Sequence, residues 1–314
     1  MYTKQVKVLI TGAAGFLGSH LVKKFLAEGH YVFGLDDFST GHIKNLQSFL
    51  PDNNFKLIEQ DVREKIFLDV DLIMNFACPA SPKAYQSDPV RTIETNFLGI
   101  INLLHLSKLN GATLVQASTS EIYGDPKETP QKESYWGNVN PVGIRSCYDE
   151  GKRAAETLCF DYKRQYGIDS RVVRIFNTYG PNMSIDDGRV VSNFINQAIR
   201  NQPITIYGDG SQTRSFCYVS DLIDGLFDIA MLEKSLDTPI NLGNPSEFSI
   251  QYLANLIIKL TDSKSKIINL DLPLDDPIQR CPDVSKAIEL IGWSPKVDVL
   301  EGLKETIAYF KKIQ

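Results

Sequence analysis

The chain has 314 residues, which is enough for one large α/β unit or for a domain with an appendage. Its composition is that of an ordinary soluble globular protein, and its net charge of -5 argues against partners such as nucleic acid or an anionic membrane surface. The five cysteines form no C-x-x-C pair and stand at no metal-ligand spacing with the four histidines, so we expect a reducing cytoplasm and no zinc. We expect neither a signal peptide nor a membrane anchor.

Short apolar runs alternate with amphipathic stretches through most of the chain, which is typical of βαβ units and a parallel sheet. We predict helices at 16–28, 90–109 and 149–167, each closed by a nearby glycine. The expected fold is an α/β, Rossmann-type doubly wound parallel sheet with helices on both faces. Its strands are predicted at 6–11, 31–36, 55–60, 72–77, 113–118 and 170–176.

After about residue 177 the alternation loosens into loops that contain proline and glycine. We predict helices near 190–200 and 219–232, an amphipathic C-terminal segment, and short strands in the sequences ITIYG and INLGN. The domain prediction is a larger unit over 1–177 with a returning segment near 216–244, and a smaller lobe over 178–314.

The loop between the first strand and the first helix has the sequence TGAAGFLG. Gly12, Gly15 and Gly18 permit a tight turn and the close approach of a pyrophosphate to the helix N-terminus. Asp36 ends the second strand about 20 residues further on, where a carboxylate binds the adenosine ribose hydroxyls. Because Asp36 would repel a 2'-phosphate, the motif predicts NAD rather than NADP.

Tyr148 and Lys152 are four residues apart and therefore share one face of the predicted helix. The ammonium of Lys152 can stabilise the phenolate and lower the pKa of Tyr148. Thr119, at the end of a strand in the same sheet, can hydrogen-bond the same substrate oxygen. Together the three residues predict a site that removes hydride from an alcohol, with Tyr148 as the base.

These motifs resemble the extended short-chain dehydrogenase/reductase family and, within it, the UDP-glucuronate decarboxylases. The resemblance runs from about residue 6 to residue 300 through TGAAGFLG, STSEIYGDP, YWGNVNPVGIRSCYDEGKR, RIFNTYGPNM, YGDGSQTRSF and DDPIQRCPD. It implies a two-lobed enzyme that holds NAD in the larger lobe and UDP-glucuronate in the cleft. It also implies a homodimer packed through the helices at 90–109 and 149–166.

The resemblance implies oxidation at C4 of the sugar, loss of carbon dioxide from the 4-keto acid, protonation at C5 and re-reduction to UDP-xylose. Ser120 stands where the related 4,6-dehydratases carry an acid that protonates a leaving hydroxyl, so serine favours loss of carbon dioxide. For Glu121 three roles stay open: orienting a water, holding the substrate, or crowding the departing carboxylate.

Two arginines in predicted loops of the smaller lobe complete the implied site. Arg214 and Arg280 suit a diphosphate, and Arg280 is also a candidate for delivering the C5 proton. The other implied substrate residues are Pro79, Ser81, Asn177, Arg189, Asn193, Gln212 and Tyr207, the last stacking against uracil. The implied NAD residues are Gly12, Gly15, Phe16, Leu17, Gly18, Asp36, Asp37, Thr40, Gly41, Asp61, Val62, Phe76, Ala77, Cys78, Thr95, Ala117, Tyr148, Lys152 and Thr178.

Three positions depart from the pattern of the family, which more often has Asn at Asp37, Ser at Cys78 and Lys at Cys281. Two alternatives to the decarboxylase also stay open. The first is a nucleotide-sugar 4-epimerase or 4,6-dehydratase; Ser120 disfavours the dehydratase, and only the product excludes the epimerase. The second is a regulatory protein that binds NAD without chemistry, which the presence of Thr119, Tyr148 and Lys152 disfavours.

Overall fold

A computed structural model describes residues 5–271 and 279–314. Its helices are α1 (Phe16–Ala27), α2 (Pro82–Ser87), α3 (Pro89–Asn110), α4 (Ser146–Tyr166), α5 (Val190–Ile199), α6 (Val219–Met231), α7 (Ile250–Thr261), α8 (Ser285–Ile291) and α9 (Val299–Ile313). Its strands are β1 (Lys7–Thr11), β2 (Tyr31–Asp36), β3 (Phe55–Glu59), β4 (Leu72–Asn75), β5 (Thr113–Thr119), β6 (Ser170–Ile175), β7 (Thr178–Tyr179), β8 (Ile204–Tyr207), β9 (Thr213–Ser215), β10 (Cys217–Tyr218), β11 (Ile240–Leu242), β12 (Glu247–Ser249), β13 (Ile267–Leu270) and β14 (Gln279–Arg280).

The central sheet confirms the predicted doubly wound architecture. In the described part of the chain it has seven parallel strands in the order β11-β6-β5-β4-β1-β2-β3. The six strands predicted in the first 177 residues all belong to it. Its seventh strand, β11, comes from the later part of the chain and pairs with β6.

Helices cover both faces of the sheet because successive side chains of each strand point to opposite faces. In β1, Val8 and Ile10 enter the core that also contains residues of α1 and α6, whereas Leu9 enters the core with residues of α3 and α4. A third core joins α5, α7 and α9 to β8. The sheet is therefore buried on both sides.

The carboxyl end of the sheet is where the predicted functional residues gather. Asp36 ends β2 and Thr119 ends β5. Helix α4 begins at Ser146, three residues before its predicted start, so Tyr148 lies in its first turn and Lys152 one turn further on. The four residues 275–278, which open the motif DDPIQRCPD, lie outside the described residues.

None of the helices in residues 5–271 and 279–314 is both long and apolar enough to cross a bilayer. No group of three or more His, Cys, Asp or Glu side chains is arranged there as metal ligands. All five cysteines are free thiols.

Candidate active site

A cleft of about 880 Å³ runs along the carboxyl end of the sheet. One wall is formed by the glycine-rich loop and the ends of β2, β4, β5 and β6, and the other by segments after residue 177. Ligands of open parallel sheets bind outside the carboxyl ends of the strands. The cleft thus has the position and the size for an extended nucleotide ligand.

The glycine-rich loop brings backbone unusually close to backbone. Gly12 has a φ of 69°, and a Cβ on it would lie 2.5 Å from the carbonyl oxygen of Phe76. A Cβ on Gly18 would collide with the carbonyl oxygen of Gly12. Helix α1 begins after Gly15 with no side-chain cap, so its first N–H groups face the cleft without a competing side chain. This loop fits the pyrophosphate of a dinucleotide.

Asp36 closes the same end of the cleft. Its carboxylate is buried and accepts hydrogen bonds from the N–H groups of Ala14 and Phe38, both at 2.8 Å. Asp36 therefore fixes the glycine-rich loop as well as facing the cleft. Its neighbour Asp37 is turned toward Arg91, with an Nη2 to Oδ2 distance of 2.7 Å.

Thr119, Tyr148 and Lys152 meet at the centre of the cleft, as the sequence predicts. All three side chains are buried, and the hydroxyl of Thr119 hydrogen-bonds that of Tyr148. The Nζ of Lys152 donates to the carbonyl oxygen of Ala117 at 2.9 Å and lies 5.7 Å from the ring centre of Tyr148. Tyr85 stacks on the Tyr148 ring at a centre-to-centre distance of 5.0 Å, which fixes the plane of the phenol.

The predicted lowering of the Tyr148 pKa by Lys152 is wrong for the protein alone. Burial raises the pKa of Tyr148 above its usual value, and the hydrogen bond from Thr119 only partly offsets this rise. Burial also lowers the pKa of Lys152. The reason is that both side chains are buried, so each charged form loses hydration.

Glu121 forms the centre of a second cluster. Its carboxylate is bound by two guanidinium groups: Arg145 approaches at 2.5 Å, and Arg280 donates from both Nη1 and Nη2. Ser120 lies between this cluster and Thr119 and is buried against the cleft. Burial alone would raise the pKa of Glu121, but the two positive charges outweigh it and lower the pKa to about 2. Glu121 is therefore an anion at neutral pH.

The prediction that Arg214 and Arg280 lie in loops is wrong. Arg214 is in β9 and Arg280 in β14, and the two pair directly in a parallel register. This pairing gives both arginines a fixed backbone. It also explains how Arg280, 159 residues beyond Glu121, reaches that carboxylate.

Most other predicted residues line the same cleft, although two do not. Asp61 pairs with Arg63 and Arg91, and Gly41 packs against the Asp36 carboxylate. The lining residues from the predicted sets are Gly12, Gly15, Phe16, Leu17, Gly18, Asp36, Asp37, Thr40, Val62, Phe76, Ala77, Cys78, Pro79, Ser81, Thr95, Ala117, Asn177, Thr178, Arg189, Asn193, Tyr207, Gln212 and Arg214.

Details within this lining sharpen or limit the predicted roles. Arg189 makes a two-pronged pair with Asp187, at 2.5 and 2.8 Å. Gln212 donates to the carbonyl oxygen of Tyr207, a residue that is 44% exposed.

Arg145 is a site residue that the sequence prediction missed. Its position three residues before Tyr148, at the start of the same helix, was the available signal.

The fold and the cleft together define a Rossmann-type, dinucleotide-dependent enzyme. Its candidate proton-transfer group, Tyr148, lies at the carboxyl end of the sheet. More narrowly, the chain belongs to the NAD dependent epimerase/dehydratase family, whose model matches residues 8–243.

Comparisons with individual proteins give a finer likeness. The chain is 52% identical to UDP-glucuronic acid decarboxylase 1 of Arabidopsis thaliana over 308 residues, which is 98% of this chain and 70% of that protein. It is 51% identical to UDP-glucuronic acid decarboxylase 1 of Xenopus tropicalis over 306 residues, 98% of this chain and 72% of that protein. Among solved structures, UDP-glucuronic acid 4-epimerase from Bacillus cereus, in complex with UDP-glucuronic acid and NAD, is similar with a TM-score of 0.89 at 28% identity, covering 98% of this chain and all of that one.

Proposed function

We propose that this protein is a UDP-glucuronate decarboxylase that uses NAD to convert UDP-glucuronate to UDP-xylose. The observation that carries this function is the identity of about 50% to several curated UDP-glucuronic acid decarboxylases over nearly the whole chain. The epimerase and dehydratase alternatives are not favoured, since the similar 4-epimerase structure is only 28% identical. Ser120, which cannot act as the acid of a dehydratase, supports the same choice.

The roles of the central residues follow from their chemistry. Tyr148 takes the proton of the sugar C4 hydroxyl, and Thr119 holds the same oxygen by a hydrogen bond. When bound, NAD supplies a hydride acceptor for C4 and later returns the hydride. The glycine-rich loop and Asp36 would hold its pyrophosphate and adenosine ribose, and Lys152 and Ala117, which line the same cleft, would contact the rest of the cofactor.

We assign the cluster around Glu121 to the binding of the nucleotide sugar. We assign Arg280, Arg214 and Arg189 to the charged groups of the nucleotide sugar, and Ser120 to its carboxylate. Because Arg280 is already engaged by Glu121, it contributes a fixed positive charge next to the sugar rather than a free side chain. Tyr207, half exposed at the rim, is assigned to the base.

We assign a different ligand to each of the two lobes. Residues 1–177, with the returning segment near 216–244, bind the dinucleotide, and residues 178–314 hold the nucleotide sugar. We assign the enzyme to the cytoplasm, where its five free thiols would stay reduced.

Asp36 sets the expected affinity for NAD. Changing Asp36 to Asn should weaken NAD binding about 10- to 100-fold, because hydrogen bonds to a charged group contribute about 1.5–3 kcal/mol. A calorimetric titration of NAD into cofactor-stripped protein measures the change in affinity. Asp69→Asn, which alters an exposed carboxylate paired with Lys7, is the control and should bind NAD as the unaltered protein does. Equal affinities in the two variants would contradict the assignment of Asp36.

We also propose a homodimer packed through α3 and α4. An exposed apolar stripe supports it: Val90, Ile93 and Phe97 follow one another at helical spacing on α3 and are 65%, 41% and 43% exposed. Such a stripe is unfavourable in water, and a second copy of the same pair of helices would cover it.

Phe97→Glu should convert the dimer to a monomer, because it places two charges at a closed apolar interface. Light scattering on the eluting protein measures the mass of the species in solution. Ile288→Glu, at a 50% exposed apolar position on α8, is the matched control and should remain dimeric. A dimeric Phe97→Glu protein would remove α3 from the interface.

The function itself is tested by incubating the purified protein with UDP-glucuronate and following the sugar by NMR. We expect the signals of UDP-xylose to replace those of the substrate. Formation of UDP-galacturonate would instead identify a 4-epimerase, and unchanged substrate would contradict both enzymes.

A further inference from the structure

The proposed reaction consumes one proton in each turnover. The bond between C5 and the carboxylate breaks, its electron pair stays on C5 in conjugation with the C4 carbonyl, and carbon dioxide leaves. C5 must then gain a proton. The proton that Tyr148 takes from the C4 hydroxyl is returned there when C4 is reduced, so the C5 proton comes from the solvent through another group.

Glu121 is close to the substrate pocket but is a poor donor. It is bound by Arg145 and Arg280, and these charges lower its pKa to about 2 against the opposing effect of burial. Near neutral pH it carries no proton to give. The two arginines are ion-pair partners rather than proton donors, because a guanidinium group is not deprotonated in proteins.

A small cavity of about 60 Å³ is bordered by this ion-pair cluster. Glu121, Arg145 and Arg280 line both this cavity and the main cleft, so the small cavity adjoins the substrate pocket. Asp149 lines only the small cavity. The volume and the polar walls of the small cavity suit ordered water.

Two of the residues that line the cavity each have a buried polar atom that needs a hydrogen-bond partner. Oδ1 of Asp149 and Nε of Arg280 have none among the described residues, although these side chains are 6% and 3% exposed. Buried polar atoms of native proteins are normally satisfied by protein or by water. A water in this cavity can accept from Nε of Arg280 and interact with Oδ1 of Asp149.

Asp149 differs from Glu121 in its charge state. Burial and the nearby charge of Glu121 raise the pKa of Asp149 to about 7, with Arg145 and Arg280 acting in the opposite direction. A large fraction of Asp149 therefore carries a proton at neutral pH. The charged or titratable groups that act on it are Glu121, Arg145, Glu150, Arg280 and Tyr85, the last from helix α2.

We propose that Asp149 holds the proton destined for C5 and passes it through water in the small cavity, past the Glu121–Arg280 pair, into the cleft. The O–H bond of Asp149 breaks, the proton moves along the water, and a C–H bond forms at C5. Asp149 then regains a proton from solvent. This inference rests on the proposed decarboxylase function.

Asp149→Asn tests this role because asparagine keeps the shape but cannot supply the proton. We expect UDP-xylose formation to fall about 100-fold, the scale of lost general acid catalysis. Oxidation at C4 should continue, so reduced NAD accumulates on the enzyme and is seen by its near-ultraviolet absorbance. In the unaltered enzyme, turnover should fall as pH rises through about 7, because Asp149 loses its proton; this limb should be absent from Asp149→Asn.

The controls separate this role from a structural one and from the proposed function. Asp161→Asn changes an exposed carboxylate of α4 that pairs with Arg164 and lines neither cavity, and it should keep both turnover and the pH limb. Asp149→Glu retains a titratable carboxyl and should recover part of the turnover, with a displaced pH limb. Normal turnover and an unchanged pH limb in Asp149→Asn, or loss of C4 oxidation together with turnover, would overturn the role of Asp149 alone. Absence of UDP-xylose with the unaltered enzyme would overturn the proposed function and this role with it.

Discussion

Replacing Tyr148 with phenylalanine should lower turnover by about 100- to 10,000-fold, the range for loss of a general base. The phenol is buried and hydrogen-bonds Thr119, so its loss removes the group assigned to take the C4 proton. Phenylalanine keeps the ring and its stacking on Tyr85, which limits the change to one oxygen. NAD should stay bound, and addition of UDP-glucuronate should produce no near-ultraviolet absorbance of reduced NAD.

Tyr252→Phe is the control for this experiment. Tyr252 is half exposed on α7, and its ring stacks on Phe248, so the change removes a phenol oxygen without touching the cleft. It should leave turnover unchanged. Tyr148→Phe with turnover near that of the control would remove Tyr148 from its role as base, whereas loss of bound NAD would show that the change acts on the cofactor.

The second large effect is on stability and concerns the buried pair of Glu156 and Arg174. Both residues are 8% exposed, and the guanidinium donates to the carboxylate from Nε at 3.0 Å and from Nη2 at 2.8 Å. Ser118 of β5 donates to the same carboxylate. Glu156 lies one turn after Lys152, so the pair joins the helix that carries Tyr148 and Lys152 to the strands that carry Thr119 and Arg174.

Glu156→Gln should lower the free energy of unfolding by about 3–5 kcal/mol, because it leaves Arg174 charged and buried without its partner. Denaturant unfolding measured by circular dichroism gives this value. Replacing both residues by methionine should restore much of the loss, since no uncompensated charge then remains. Asp161→Asn, which removes one partner of an exposed ion pair with Arg164, should change stability by less than about 0.5 kcal/mol. A loss of similar size in Glu156→Gln and Asp161→Asn would contradict this account.

The sequence predicts the elements of the sheet well because their signals are local. Each central strand is a short apolar run, and glycines follow α1, α3 and α4 close to their ends. The meeting of Thr119 with Tyr148 and Lys152 was also predictable, because the carboxyl end of β5 and the start of α4 lie at the same end of a parallel sheet.

The ion-pair cluster around Glu121 was not predictable in the same way. Arg280 reaches Glu121 only because a two-residue strand, β14, pairs with β9, and so short a strand has no periodicity to detect. The predicted direction of the pKa shift of Tyr148 was wrong for a related reason. The spacing of Tyr148 and Lys152 indicates that the two are neighbours, but the degree of burial that dominates both groups is set by the whole fold.

Helices α2, α7 and α8 are absent from the sequence prediction, although α7 has a serine N-cap whose side chain accepts from the N–H of Tyr252. This capping signal was available in the sequence. The three-residue strands β9 and β12 are stabilised by pairing with distant segments rather than by local preference.

The central claim is tested most directly by carrying out the reaction in deuterium oxide with UDP-glucuronate and substoichiometric enzyme. A decarboxylase of this kind yields one carbon dioxide for each UDP-xylose, with one deuterium at C5, the original hydrogen at C4, and no reduced NAD released. NMR and mass measurement of the product report all of these atoms. UDP-galacturonate without loss of carbon dioxide, or UDP-xylose that lacks deuterium at C5, would contradict the account.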